Sequence, residues 1–566
     1  MDALHLIGLG VMRLSTDADR DDARAAETLR AAVAGGVAIF DTARAYGRGA
    51  GDVGHSERLV GALAPEESVV VTKCGMRREG AAWIPDGRAR AILAEAEASA
   101  EALGRPPDVL LLHAPDPAVD LATSARALAK ARERGLARSV GLSNVTRKHL
   151  EIAAAHAPIE AVENALGAFD DASVRGGVVD WCRERGARFY AHSPFGGPAR
   201  AARLARDRAL VAVARRLGAS PHEVVLAYLA TLGVVPLPGA RRPETAASVA
   251  RARSLALDDD ALASLDARFP RLAPLRGAAP RPPKTSREVV LVMGVPGAGK
   301  SRVAAELTAR GYVRLNRDEL GGTLRGIDRR LDEGLAAGGE RFVLDNTYVT
   351  RASRSDVVRI ADRHGAHARC VFVDTPAAEA EVNVVTRMLD VAGALLGDAE
   401  LARAAKATAA NLIAPTTLAG MLRELEAPEP SEGFSSIERR PFVRDPPIGG
   451  VAAAAVSLRR LGEEAVTRAL AEDPRRGPVL VFGWAPSPPA DLDARIAALA
   501  ALTGRDVDLS LCAHAAGPPR CWCRPPLPGA WVAFARARGA DARQSVLFAS
   551  SAADRALAAK IGLRVE

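Results

Sequence analysis

The sequence predicts an α/β protein: a closed (β/α)8 barrel over residues 1–270, then an α/β phosphate-loop domain, then a Rossmannoid α/β domain. Three observations predict it. Eight short apolar runs alternate with alanine-rich amphipathic stretches in the first segment. A glycine-rich loop, GVPGAGKS at 294–301, follows an apolar run and opens a helical pattern. Past residue 450, a cysteine–histidine cluster is followed by loop, helix, strand, loop and helix.

The chain has 566 residues, enough for roughly three or four domains of about 100–200 residues. Hydrophobic residues make up 48%, ample for packed cores. No run of about 18 apolar residues free of charge is present, which argues against a membrane span. The start, MDALHLIGLGVMRL, has no basic leader region, so no signal peptide is expected. Cys74, Cys182 and Cys370 stand singly, which fits a reducing cytoplasm. The net charge of +8 is spread along the chain and by itself identifies no nucleic-acid groove. Proline- and arginine-rich stretches at 271–287 and 431–449 read as linkers, leaving segments 1–270, 288–430 and 450–566.

In the first segment the runs are HLIGLG (5–10), VAIFD (37–41), VVVTK (69–73), VLLLH (109–113), SVGLSN (139–144), IEAVEN (159–164), RFYAHS (188–193) and VVPLPG (234–239). Polar residues close several of them: Asp41, Lys73, His113, Ser143 and Asn144. Such barrels carry their chemistry at that end. Tyr46 follows in the loop DTARAYG.

With DTARAYG, GHSERLVG, VVTKCG, LLHAPD, GLSNV and PLPGARRPE in this order, the segment resembles the aldo-keto reductases. The resemblance implies hydride transfer from NADP(H) to a small carbonyl substrate. Tyr46 would be the acid, its pKa lowered by Lys73; Asp41 would hold Lys73; His113 would orient the carbonyl. Ser143, Asn144 and Glu163 would meet the nicotinamide amide. Gly239 would form the turn before Arg241 and Arg242, which would meet a 2′-phosphate. Two departures stand out. Glu163-Asn164 replaces glutamine-asparagine, and a carboxylate cannot donate as an amide does. Ser248-Val249 replaces a glutamate-asparagine pair. They leave open a barrel that binds cofactor without turnover.

In the second segment Gly294, Gly297 and Gly299 let backbone N–H groups face phosphate oxygens at a helix N-terminus. Lys300 would reach the terminal phosphates of ATP, and Ser301 would ligate magnesium. With RLNRDEL (314–320), FVLDNTYVTRASR (342–354) and NVVTRML (383–389), the segment resembles phage-type polynucleotide 5′-kinases. The resemblance implies Asp318 as base on a nucleic-acid 5′-hydroxyl and Arg387 as lid charge, with Asp345 orienting metal-bound water or the acceptor. Arg351 and Arg354 could contact substrate phosphate. The scaffold also serves small-molecule kinases, so an acceptor of that kind stays open.

In the third segment Cys512, His514, Cys521 and Cys523 form a four-ligand set with no open position, which fits structural zinc. With CWCRPPLPG the segment resembles haloacid dehalogenase-type phosphatases carrying a zinc loop. The residues that chemistry needs are absent. Residues 449–458 hold no carboxylate, Gly483 or Trp484 stands where Thr or Ser is expected, Pro525 replaces a lysine, and Ser550 replaces the magnesium aspartate, with Asp554 behind it. Without a nucleophilic aspartate no phosphoaspartyl enzyme can form, so a catalytically dead domain is expected.

Overall fold

A computed structural model describes residues 5–273, 286–407, 412–444, 450–514 and 521–566. The chain forms two compact units, Met1–Ala279 and Pro280–Glu566. Most of the predicted linker 271–287 lies outside the described residues. No helix among the described residues is long and apolar enough to cross a membrane.

The first unit is built on eight parallel strands: β1 Leu9–Gly10, β2 Ile39–Asp41, β3 Val69–Cys74, β4 Val109–Leu112, β5 Ser139–Ser143, β6 Ile159–Ala165, β7 Arg188–His192 and β8 Val235–Leu237. They pair in sequence order, and a parallel bridge between Gly10 and Gly239 closes the ring. Each predicted apolar run contributes one strand. Buried on both faces, these strands need continuous apolar runs. Ile39, Val71, Leu111, Ala161, Tyr190 and Leu237 fill the barrel interior. A second apolar layer, including Leu110, Leu112, Val140 and Val162, faces the surrounding helices. Gly141 marks a register shift between β5 and β6; a Cβ there would lie 2.0 Å from the Ala161 oxygen, so only glycine fits.

A hairpin of Met76–Glu79 and Ala82–Pro85 hangs over the C-terminal end of β3. The helix Pro221–Thr231 is fixed by a capping box of Ser220 and Glu223. Glu223 also accepts from Ser248 Oγ at 2.7 Å, while Val249 is buried in the core. The Ser248-Val249 departure thus packs one helix on another.

The second unit contains two parallel five-stranded sheets. The first has β9 Glu288–Met293, β10 Val313–Leu315, β11 Arg341–Asp345, β12 His367–Asp374 and β13 Ser436–Pro441, in the order β10-β11-β9-β12-β13. The second has β14 Ala454–Ser457, β15 Val479–Trp484, β16 Val507–Cys512, β17 Val546–Phe548 and β18 Arg564–Val565, in the order β16-β15-β14-β17-β18.

The strand β13 corrects the expected linker 431–449. Residues 436–441 pair in parallel with β12. As a half-exposed edge strand, SIERRP presents charge instead of an apolar run. Those charges are used: Glu438 pairs with Arg369 at 3.2 Å, and Arg440 with Glu306 at 2.8 Å. Residues 445–449 lie outside the described residues.

The two sheets of this unit share a core. Trp522 and Leu527 pack with Val290, Val303, Val384 and Met388. Trp522 donates its indole N–H to the Ile413 oxygen at 2.9 Å.

Candidate active sites

At the C-terminal end of the barrel, β2 delivers Asp41 and β3 delivers Lys73, both buried. The Lys73 ammonium contacts the Asp41 carboxylate, donates to the Thr42 oxygen at 3.0 Å and lies 3.1 Å from Glu163 Oε1. It sits 5.4 Å from the centre of the Tyr46 ring. The His113 ring meets Tyr46 edge-on at 5.7 Å, and its Nδ1 is buried without a partner. A cavity of about 520 Å³ is lined by Asp41, Tyr46, Lys73 and His113, and also by Ser143, Asn144, Glu163 and Gly239.

The electrostatics differ from expectation at Tyr46. Lys73 does pull its pKa down, but burial is the larger effect, and the Asp41 and Glu163 charges add to it. The net shift is upward, so the phenol holds its proton. Lys73 is itself held charged by its two carboxylates against the cost of burial. Burial, aided by the Lys73 charge, pushes His113 down to about 3, which keeps the ring neutral.

Asn144 takes a left-handed φ of +58° and donates to the His113 oxygen at 2.9 Å and to Ser143 Oγ at 3.2 Å. Asn164 is tied to the backbone of Val145 through both ends of its amide, at 2.9 and 2.7 Å. Arg241 pairs with Asp17 at 2.8 Å and Asp19 at 2.5 Å, and neither Arg241 nor Arg242 lines the cavity. Trp83 and His192 are among the lining residues that escaped sequence reasoning. Trp83, on the hairpin, meets Tyr46 at 5.8 Å and His113 at 6.0 Å. His192 ends β7 and lies 3.2 Å from Asn144 Oδ1. A polar residue at a strand end was the available signal for His192; a loop tryptophan gives none.

In the second unit the loop after β9 turns into the helix Lys300–Thr308. Gly297 has φ +80°, and a Cβ on it would lie 2.4 Å from the Ala380 oxygen. Lys300 Nζ donates to the Gly294 and Val295 oxygens, each at 3.0 Å. Burial pushes Lys300 down to about 8; Asp345 pulls it back, and the Arg387 charge adds to the depression. A pocket of about 130 Å³ brings together Lys300, Ser301, Asp318, Asp345 and Arg387 with Gly297 and Gly299. Gly294 is not among its lining residues.

The two motif asparagines are scaffolding. Asn316 accepts from the Asp318 N–H at 2.8 Å and donates to the Asp345 oxygen at 2.5 Å. Asn346 accepts from the Arg317 N–H at 2.8 Å. They lock the Asp318 loop against the end of β11. The Asp345 carboxylate is paired with Arg314.

Arg351 and Arg354 correct the sequence reading. Arg354 is fully buried in a bidentate pair with Glu432, both bonds 2.7 Å. Arg351 binds Ser431 Oγ at 2.9 Å and pairs with Glu429 at 3.4 Å. Both tie the segment 429–432 to their own helix, Arg351–Arg363.

Comparison with known proteins decides the first unit. A family profile described as the aldo/keto reductase family matches residues 6–268. The uncharacterized oxidoreductase YcsN of Bacillus subtilis is 31% identical over 253 residues, 40% of this chain and 81% of that protein. The chain belongs to the aldo/keto reductase family. The uncharacterized oxidoreductase C215.11c of Schizosaccharomyces pombe is 27% identical over 274 residues, 46% of this chain and 86% of that protein. Methylglyoxal reductase DkgB of Escherichia coli O157:H7 is 26% identical over 292 residues, 49% of this chain and 98% of that protein. A profile described as an AAA domain matches residues 289–410, so this aldo/keto reductase carries a P-loop kinase-like domain in the same chain.

Beyond these two centres the reductase chain holds a thiol cluster. The ligand atoms of Cys512, His514, Cys521 and Cys523 all lie within 4.8 Å of one another. Cys512 Sγ is 3.4 Å from His514 Nδ1 and 3.6 Å from Cys521 Sγ; Cys523 Sγ is 3.4 Å from the same Nδ1. Three thiol sulfurs and one imidazole nitrogen fit a closed tetrahedral metal site. At the end of β14, Ser457 Oγ meets Ser550 Oγ at 2.6 Å, which donates to Asp554 at 2.9 Å. Trp484 is tied to the cysteine–histidine cluster, its N–H donating to the His514 oxygen at 2.8 Å.

Proposed function

We propose that the barrel is an NADP-dependent reductase of small carbonyl compounds. The single observation that carries this reading is the Lys73 contact to Asp41 beside the Tyr46 ring, with the His113 ring edge-on to Tyr46, on one cavity. When bound, the nicotinamide supplies the hydride. Ser143 and Asn144 hold the amide end of the cofactor. His113 orients the substrate carbonyl oxygen, and Tyr46 delivers its phenolic proton to that oxygen. Lys73 stabilises the phenolate left behind, and Asp41 keeps Lys73 in place. Arg241 and Arg242 meet the 2′-phosphate only if Arg241 exchanges its aspartate partners. A panel of aldehydes should draw NADPH consumption that requires Tyr46. Tight NADPH binding without turnover would instead favour a sensor, a reading supported by the two carboxylates on Lys73.

The P-loop domain is, in the same proposal, an ATP-dependent kinase acting on a nucleic-acid 5′-hydroxyl. The convergence of Lys300, Asp318 and Arg387 on one pocket supports it. Asp318 takes the acceptor proton; Lys300 and Arg387 face the transferred phosphoryl group; Ser301 and Asp345 would hold magnesium, which neutralises phosphate charge. Radiolabel transfer from ATP to a 5′-hydroxyl oligonucleotide tests this, and no transfer to RNA or DNA refutes the nucleic-acid acceptor.

The third segment is, in the same proposal, a haloacid dehalogenase-like pseudophosphatase in which Cys512, His514, Cys521 and Cys523 would hold a structural zinc. Ser457 and Ser550, at the C-terminal ends of the central strand and its neighbour, offer hydroxyls where that chemistry needs carboxylates.

A further inference from the structure

On the readings above, the barrel makes an alcohol and the P-loop domain consumes one. Reduction of an aldehyde at the Tyr46 site yields a primary hydroxyl, the group whose proton Asp318 would take. An aldehyde at the same carbon has no such proton, so a strand end in that oxidised state is closed to the kinase. The lip of the barrel cavity suits such a strand. The helix Pro198–Leu204 lends Pro198 and Ala201 to the cavity wall. It carries Arg200 and Arg203, and Arg206 follows its last residue by two; all three are exposed and without an ion-pair partner among the described residues. The nearest acid in sequence, Asp207, is occupied by Arg268 at 2.6 Å. Arg200 and Arg203 stand three residues apart and so share one face of the helix. Free guanidinium groups attract phosphodiester oxygens. Trp83, 37% exposed, and Phe195 put aromatic surface on the same cavity, where a base can stack.

We propose that the barrel's substrate is an aldehyde at the 5′ end of a nucleic-acid strand, which it reduces to the 5′-hydroxyl that the P-loop domain then phosphorylates, with Arg200, Arg203 and Arg206 holding the strand's phosphates. The inference rests on the reductase and 5′-kinase readings above and joins them. In the first step the carbonyl carbon takes a hydride from NADPH, and its oxygen takes the Tyr46 proton, which solvent replaces. R–CHO becomes R–CH2OH, and NADP+ is released. In the second step the new hydroxyl oxygen bonds the γ-phosphorus of ATP, Asp318 takes its proton and ADP leaves. Tyr46 suits the first step, since burial holds its proton on. An oxidation at the terminal sugar carbon must supply the substrate, and a reaction that needs a 5′-phosphate must consume the product.

The test uses the full-length protein and a single-stranded oligonucleotide bearing a 5′-aldehyde. NADPH should be consumed as the aldehyde becomes a 5′-hydroxyl, and added magnesium–ATP should turn that end into a 5′-phosphate, read by mass spectrometry. Arg200→Glu, Arg203→Glu and Arg206→Glu together should raise KM for the strand about tenfold or more, with kcat little changed. KM for an uncharged aromatic aldehyde and the affinity for NADPH should not move. Reduction of the uncharged aldehyde but not of the strand overturns the proposal and leaves the reductase reading standing. Equal KM for the strand in both proteins, or a loss of NADPH affinity in the variant, overturns the arginines as the strand's anchor. Phosphorylation of the reduced small aldehyde in place of the strand makes the acceptor a small alcohol and also overturns the proposal. A strand supplied directly with a 5′-hydroxyl separates the two readings: if it is not phosphorylated, the kinase reading fails, whatever the barrel reduces.

Discussion

Trp522 lies between two cysteines of the candidate metal site, yet its indole N–H bonds to Ile413, 109 residues earlier and outside its own sheet. The same side chain is 1% exposed, packed among Val384 and Met388 of the helix Ala377–Ala392 that also carries Arg387. Leu395 packs directly on the three cysteines.

The metal loop and the phosphate site are therefore expected to fail together. Removing zinc with a chelator should lower the calorimetric transition of the second unit and weaken its ATP binding, while the barrel transition stays put. Trp522→Ala should cost about 3–5 kcal/mol of stability in the second unit. An unchanged ATP affinity in the metal-free protein would sink this coupling.

Lys300 makes the phosphate site sensitive to pH. Its pKa of about 8 lies below that of a free lysine, so the ammonium is lost as pH rises through that value. Affinity for magnesium–ATP should decline from about pH 7 to about pH 9. Lys300→Ala should lower phosphoryl transfer by about 10²–10³ and abolish this pH dependence. Titration calorimetry across the range checks both.

Arg354 gives a prediction of stability without chemistry. Truncation to alanine strands the Glu432 carboxylate, whose side chain is only 3% exposed in the pair. A loss of about 3–5 kcal/mol is expected in denaturant unfolding of the second unit. ATP affinity of the folded fraction should be unchanged, since neither residue lines the pocket.

What could be read in the sequence follows from how each feature is encoded. The eight barrel strands were legible because strands buried on both faces must be apolar throughout, and their polar ends then stand out. Lys300 was legible because a phosphate loop demands glycines at fixed spacing. The strand Ser436–Pro441 was not, since an edge strand with paired charges looks like a linker. Arg354 was misread because burial of a charge depends on Glu432, 78 residues away. The Glu163 grip on Lys73 joins β3 to β6, two strands that are not neighbours in the sheet, so no local pattern announces it.

The last prediction concerns the direction of the reductase reaction. Reduction needs Tyr46 protonated, and oxidation of the alcohol needs it ionised. Burial is the dominant cause of a pKa above that of free tyrosine, so the phenol keeps its proton through the neutral and mildly alkaline range. Carbonyl reduction should therefore show no falling limb from Tyr46 between about pH 7 and about pH 10, while alcohol oxidation should rise with pH across the same interval. Tyr46→Phe should lower kcat/KM for reduction by about 10²–10⁴ with little change in NADPH affinity. Lys73→Met removes the cation that favours the phenolate, so oxidation should suffer more than reduction. Steady-state rates in both directions, measured as full pH profiles, check the sign. A reduction rate that falls with a pKa near neutrality in the wild type and not in Y46F would show that the Lys73 charge outweighs burial at Tyr46.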